Sequence, residues 1–215
     1  MLASVHLVRH GEVLNPDGIV YGDLPGFFLS DAGRAQTVTA AARLSGVPVD
    51  ALVVSPLERA RATAEPIAAV VETKLLIDDR LTEWAIGTRW AGVAWHDLPI
   101  RFPGEVEAYE EHPDDLPFLS ETLADLANRM HDVIVELGEL HPGGTAVLVS
   151  HQDPVQVLRL RLIGRDLSNL HADKPSHGSV ISLRANGSTW VEESSWSPPI
   201  DSAAFPPVER WAADS

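Results

Sequence analysis

The chain has no cysteine, which excludes disulfide cross-links, zinc–thiolate sites and thiol nucleophiles. It is also poor in lysine: Lys74 and Lys174 are the only ones among 16 basic residues, against 31 acids, and the formal net charge is −15. A surface of that sign repels nucleic-acid phosphates and anionic membranes, so neither is expected as a partner. The same imbalance makes any local gathering of arginine and histidine informative, because arginine is suited to bidentate capture of phosphate. Long apolar runs are missing as well. No stretch approaches the length of a membrane span, and residues 1–9 carry neither a basic leader nor a long apolar core. A soluble, cytoplasmic protein is expected. At 215 residues the chain can bury a full core as one domain, or one domain with an insertion.

Short, partly β-branched apolar segments recur at 3–8, 51–54, 75–77, 145–149 and 180–183, separated by stretches of helical periodicity. The alternation predicts an α/β fold. Ser30-Asp31 reads as the start of a helix running to Leu44, Pro56 as the start of one reaching Glu72, and Ser120 as the start of an amphipathic run to Leu140. Pro66 is expected to kink or split the second of these, because it cannot donate to residue 62. Residues 85–118 hold seven acids against two arginines, with prolines and tryptophans between them, and are expected to form an inserted acidic lid. The Pro- and Ser-rich residues 197–215 are expected to be an irregular tail, with Trp196 and Trp211 able to pin it.

Polar groups capable of chemistry cluster where these segments end. Arg9 and His10 close the first, Ser55 and then Arg59 follow the second, Glu83 follows the third, and Ser150-His151 follow the fourth. In an open parallel sheet, ligands bind outside the carboxyl ends of the strands, so loops distant in sequence converge there.

With these residues in place, the chain resembles the histidine phosphatase superfamily, the phosphoglycerate-mutase-like proteins, over roughly residues 3–185. The matching elements are Arg9-His10-Gly11-Glu12 with Asn15; Leu29-Ser30-Asp31-Ala32-Gly33 leading to Gln36; Ser55-Pro56-Leu57 with Arg59-Ala60 and Thr63-Ala64; Leu81-Thr82-Glu83; and Val149-Ser150-His151. The resemblance implies a three-layer α/β/α sandwich with a predominantly parallel central sheet. It also implies phosphomonoesterase chemistry through a phosphohistidine, with no cofactor and no metal. A phosphate monoester is a dianion that repels nucleophiles, so Arg9, Arg59 and His151 would neutralise its oxygens while His10 attacks as a neutral imidazole. That role requires His10 to hold its proton on the other ring nitrogen, donated to a backbone carbonyl near Gly11, with Gly11 permitting the turn. The resemblance assigns Glu83 as proton donor to the leaving group and then base toward water, which calls for a raised pKa.

Asn15 is a further candidate for phosphate or substrate contact, and His177 for the border of the pocket. Two departures from the family pattern stand out: Gln152 replaces the usual glycine after His151, and Ser120-Glu121 lacks a preceding glycine. Asp153-Pro154 reads as a helix cap followed by a first-turn proline. No His and carboxylate cluster shows metal-ligand spacing. The expected substrate is a small phosphate monoester, with the acidic 85–118 segment weighing against a second anionic group and hence against a mutase. Phosphoryl transfer of the mutase type and a non-catalytic phosphate-binding module stay open as alternatives. Oligomeric state is not legible.

Overall fold

The computed structural model describes residues 1–199. Six strands form one sheet in the order β3-β2-β4-β1-β5-β6, where β1 is Ser4–Arg9, β2 Ala51–Val54, β3 Leu75–Ile77, β4 Thr145–Ser150, β5 Val180–Asn186 and β6 Thr189–Trp196. The first four run parallel, and β5 and β6 are antiparallel to their neighbours. Both faces of the central strands are buried. Val5, Leu7, Val53 and Leu148 face one core, while Val8, Leu52, Val54, Val147 and Val149 face the other. Helices α1 (Asp31–Leu44) and α2 (Glu58–Val71) cover the second core through Ala40, Leu44, Ala60, Ala64 and Ile67. Helices α6 (Leu123–Leu140) and α7 (Gln152–Leu162) cover the first through Leu126, Met130, Val155 and Leu158. This is the expected three-layer α/β/α arrangement with a mostly parallel sheet.

Helix α2 runs continuously through Pro66 and is not split there. The proline forfeits one backbone bond, but the buried face formed by Ala60, Thr63, Ala64 and Ile67 fixes the helix on both sides of it. The cap of α6 is Thr122 rather than Ser120. Its hydroxyl accepts from the Asp125 amide, and the Asp125 carboxylate accepts from the Thr122 amide, a complete capping box. Strand β6 was not anticipated, because only Trp190 in it is buried and its Glu-Glu-Ser-Ser run carries no apolar alternation.

Residues 85–118 form three short helices, α3 (Ala85–Arg89), α4 (Leu98–Arg101) and α5 (Glu105–Glu111). Ile86, Trp90, Leu98 and Tyr109 from this stretch are buried in the core shared with α6 and α7. Trp84, just before it, is buried there too, whereas Trp95 is exposed. Trp196 ends β6, and Trp211 lies outside the described residues. Among the described residues, no helix is long and apolar enough to cross a membrane.

Candidate active site

The carboxyl ends of β1, β2 and β4 lie side by side, with Arg9 in register with Ser150. This brings Arg9, His10, Arg59 and His151 together, and the turn after β3 adds Glu83. The loop that holds His10 is fixed from two sides. The Gly11 amide donates to Thr63 Oγ1 of α2 at 3.0 Å, and the Glu12 amide donates to Gln36 Oε1 of α1 at 2.8 Å. Ser30, which caps α1, donates its hydroxyl to the Glu12 carboxylate at 2.7 Å. Gly11 and Gly33 are required by close approach: a Cβ on Gly11 would stand 2.5 Å from the Gly33 carbonyl oxygen, and one on Gly33 would stand 2.0 Å from that of Glu12.

His10 is buried, and its Nδ1 lies 2.7 Å from the Gly11 carbonyl oxygen. A carbonyl only accepts, so Nδ1 carries the proton and Nε2 keeps its lone pair. Arg59 Nε donates to that Nε2 at 3.2 Å, while its Nη2 donates to the Gly22 carbonyl at 2.7 Å. The Arg59 guanidinium also lies 4.7 Å from the ring centroid of Tyr21. The His10 pKa is well below the ordinary histidine value because of burial first, then the positive charge of Arg59 and the neighbouring His151, His177 and Arg9. The ring is therefore neutral at physiological pH.

The His151 ring centroid is 5.1 Å from that of His10. Its Nε2 sits 2.7 Å from Ser55 Oγ, which also accepts from the Leu57 amide at 3.3 Å. Nδ1 of His151 is buried and has no hydrogen-bond partner among the described residues. Glu83 Oε2 is 4.0 Å from that nitrogen, and Glu83 Oε1 accepts from the Trp84 amide at 2.9 Å. The Glu83 pKa is raised to about 7, chiefly by burial and next by the Asp153 carboxylate, against the pull of Arg59, the Trp84 amide and Arg9.

Arg9 donates through Nη1 to Gln152 Oε1 at 2.6 Å and to the Pro175 carbonyl at 2.8 Å, and its Nη2 lies 2.8 Å from His177 Nε2. A cavity of about 430 Å³ opens beside these groups; Arg9, Tyr21, Glu83, Gln152, Asp153 and His177 contribute its polar lining, with Val13, Val20, Ile86 and Trp90 among the apolar walls. Asn15 lines the cavity too, but both ends of its amide are engaged by the Ile19 backbone, at 2.8 and 3.2 Å. These bonds fix the loop and leave one Nδ2 hydrogen unengaged. Asp153 does not cap α7, since the cap position is His151; it is buried, accepts from Tyr109 Oη at 2.9 Å and lies 3.2 Å from Lys174 Nζ. None of the seven acids of residues 85–118 lines the cavity, and Glu105 among them is paired with Arg89 at 2.5 Å. Among the described residues, no cluster of three or more histidines and carboxylates could hold a metal ion.

Several supporting residues were not singled out from sequence. Arg129 of α6 donates to the carbonyls of Arg80, Thr82 and Glu83, holding the Glu83 turn, and Ser150 Oγ donates to the Leu81 carbonyl at 2.6 Å. Ser55 stood at a strand end and inside a matched motif, and Thr63 inside a matched motif alone. Arg129 and Tyr21 had none, because their partners are remote in sequence.

The profile of the histidine phosphatase superfamily (branch 1) matches residues 5–196. Phosphoserine phosphatase 1 of Hydrogenobacter thermophilus is 33% identical over 169 residues, covering 78% of this chain and 79% of its own. The glucosyl-3-phosphoglycerate phosphatase of Mycobacterium tuberculosis is 27% identical, covering 97% of this chain and 91% of its own. A solved mycobacterial glucosyl-3-phosphoglycerate phosphatase in complex with VO3 superposes with a TM-score of 0.81 at 26% identity, covering 92% of this chain and all of that one.

Proposed function

The chain belongs to branch 1 of the histidine phosphatase superfamily and is a phosphatase, and on this footing we propose that it hydrolyses a small phosphate monoester through a phosphohistidine at His10. The observation that carries the proposal is the Nδ1–Gly11 carbonyl bond at 2.7 Å, which leaves Nε2 unprotonated among Arg9, Arg59 and His151. Arg9 and Arg59 neutralise the phosphoryl oxygens, with the buried His151 ring beside them. His10 Nε2 then bonds to phosphorus as the P–O ester bond breaks, and Glu83 gives its proton to the departing alkoxide. Water next attacks the phosphohistidine and loses a proton to Glu83, so that inorganic phosphate leaves and His10 and the protonated Glu83 are restored. A pKa of about 7 suits Glu83 to both directions of proton transfer near neutrality.

Hydrolysis is favoured over transfer within a sugar acid by the cavity walls. Among the described residues, Arg9 is the only arginine or lysine lining the cavity, which also presents Asp153 and apolar side chains. With Arg9 and Arg59 engaged by one phosphoryl group, a second anionic group would face Asp153 and the apolar walls there. The acids of residues 85–118, which suggested the same conclusion from sequence, do not reach the cavity; Asp153 and the apolar walls support it instead.

The test is inorganic phosphate release from a panel of phosphorylated metabolites, with chelator and without added metal, comparing the parent with His10→Ala. Turnover that vanishes in the variant is expected. An isomerised phosphate ester without phosphate release, or undiminished turnover in His10→Ala, would overturn the proposal.

A further inference from the structure

We propose that Gln152 is the positioning residue that aims Arg9 at the phosphate, acting as a neutral acceptor that orients the guanidinium without cancelling its charge. The inference rests on the reading of Arg9 as a phosphate ligand. Arg9 carries five N–H donors. Both Nη1 hydrogens are engaged, by Gln152 Oε1 at 2.6 Å and by the Pro175 carbonyl at 2.8 Å, and one Nη2 hydrogen faces His177 Nε2 at 2.8 Å. The His177 pKa is well below its ordinary value, from burial first and then Arg9 and Arg59, so this nitrogen is free to accept. What remains is the Nε hydrogen, buried and without a partner among the described residues, and one hydrogen on Nη2. Nε and Nη2 form one edge of the guanidinium, the fork that matches two oxygens of a phosphate.

The three acceptors therefore hold one end of the guanidinium and leave the fork unengaged. Two of them, the Pro175 carbonyl and His177, come from the segment before β5. Gln152 alone comes from the other side, at the first position of α7, directly after His151. It thereby ties Arg9 to the strand end that carries His151. Arginine offers only donors, so the Gln152 amide is obliged to turn its oxygen toward Arg9. A carboxylate here would hold the guanidinium equally well but would neutralise it and repel the incoming dianion. A residue without an acceptor would leave an Nη1 hydrogen of a buried cation unsatisfied.

The experiment measures direct binding of vanadate and inorganic phosphate by titration calorimetry, beside KM and kcat on an activated aryl phosphate, for the parent, Gln152→Ala and Gln152→Glu. For Gln152→Ala, oxyanion affinity is expected to fall about tenfold, with KM rising in step and kcat within about threefold, the scale of one hydrogen bond to a charged group. For Gln152→Glu, affinity is expected to fall further while thermal stability holds or rises, because a carboxylate at the first turn of α7 favours the helix. Opposite movement of affinity and stability is something a purely structural role would not produce. Oxyanion affinity within twofold of the parent in both variants would overturn the proposal. Because the titration does not depend on turnover, its failure is distinguishable from failure of the phosphohistidine test with His10→Ala.

Discussion

Thr63→Val tests whether the scaffold of α2 holds the His10 loop as the geometry implies. The substitution keeps the shape of a fully buried side chain and removes its hydroxyl. Two bonds go with it: the one accepted from the Gly11 amide at 3.0 Å and the one donated to the Arg59 carbonyl at 2.8 Å. The second matters little, since a carbonyl within a helix is bonded already. The first leaves the Gly11 amide buried and unsatisfied, at a cost of about 1–3 kcal/mol. Gly11 cannot move toward another acceptor, because it is packed against the Gly33 carbonyl. For a chain of this size each kcal/mol lowers Tm by roughly 2–4 °C, so a fall of roughly 2–12 °C is expected. Both catalytic candidates linked through Thr63, His10 and Arg59, should lose alignment, so kcat/KM should drop more than in Thr63→Ser, which keeps the hydroxyl. Calorimetry and phosphate release on the three proteins check this. A Thr63→Val protein as stable and as active as the parent would refute the claim that the Gly11 amide depends on this hydroxyl.

Other consequences follow from the charged groups of the site. After burial, the Asp153 carboxylate is the strongest influence raising the Glu83 pKa; Asp153→Asn should therefore move the alkaline limb of the kcat/KM profile for an alkyl phosphate to lower pH, and an upward shift or no shift would count against the coupling. Stability should fall steeply below pH 6.5. His10, His151 and His177 have depressed pKa values in the folded chain, so the unfolded chain binds their protons first, and stability rises with pH up to 6.5. Glu83 works the other way, holding a proton when folded that the unfolded chain releases between 4.5 and about 7. Near pH 5.5 the three histidines outweigh the single carboxyl, so urea unfolding at a series of pH values should show stability falling as the pH drops from 7 to 5.5. A flat profile between pH 7 and 5.5 would show that these rings are not buried in neutral form.

Much of this arrangement was legible in the sequence because it depends on local signals. The parallel strands are short β-branched runs whose bounds shifted by a few residues at most, and His10, Arg59, Glu83 and His151 each follow such a run. What was not legible depends on contacts between remote segments. Gln152 looked like a departure from pattern, and only the register of β1 with β4 reveals that its amide meets Arg9. Asp153 read as a cap by residue type, yet Tyr109 and Lys174, 44 and 21 residues away, draw it into the pocket wall. Asn15 lines the cavity as a phosphate or substrate contact would, and the bonds of its amide to Ile19, which hold its loop, were not legible. Pro66 shows the reverse effect, a strong local signal for a split overridden by tertiary packing on both sides of the helix.

The most direct test of the phosphohistidine is to trap it. Glu83→Gln should still accept the phosphoryl group from an activated aryl phosphate, whose leaving group needs no proton, but should hydrolyse the intermediate about 10²–10⁴-fold more slowly. Mixing this variant with substrate, quenching in base and mapping the peptides by mass spectrometry should reveal a phosphoryl group on the peptide that carries His10, formed in a burst and absent when His10 is also replaced by Ala. Single-turnover release of phosphate with no phosphorylated protein at any time, or a phosphoryl group on another residue, would contradict the account.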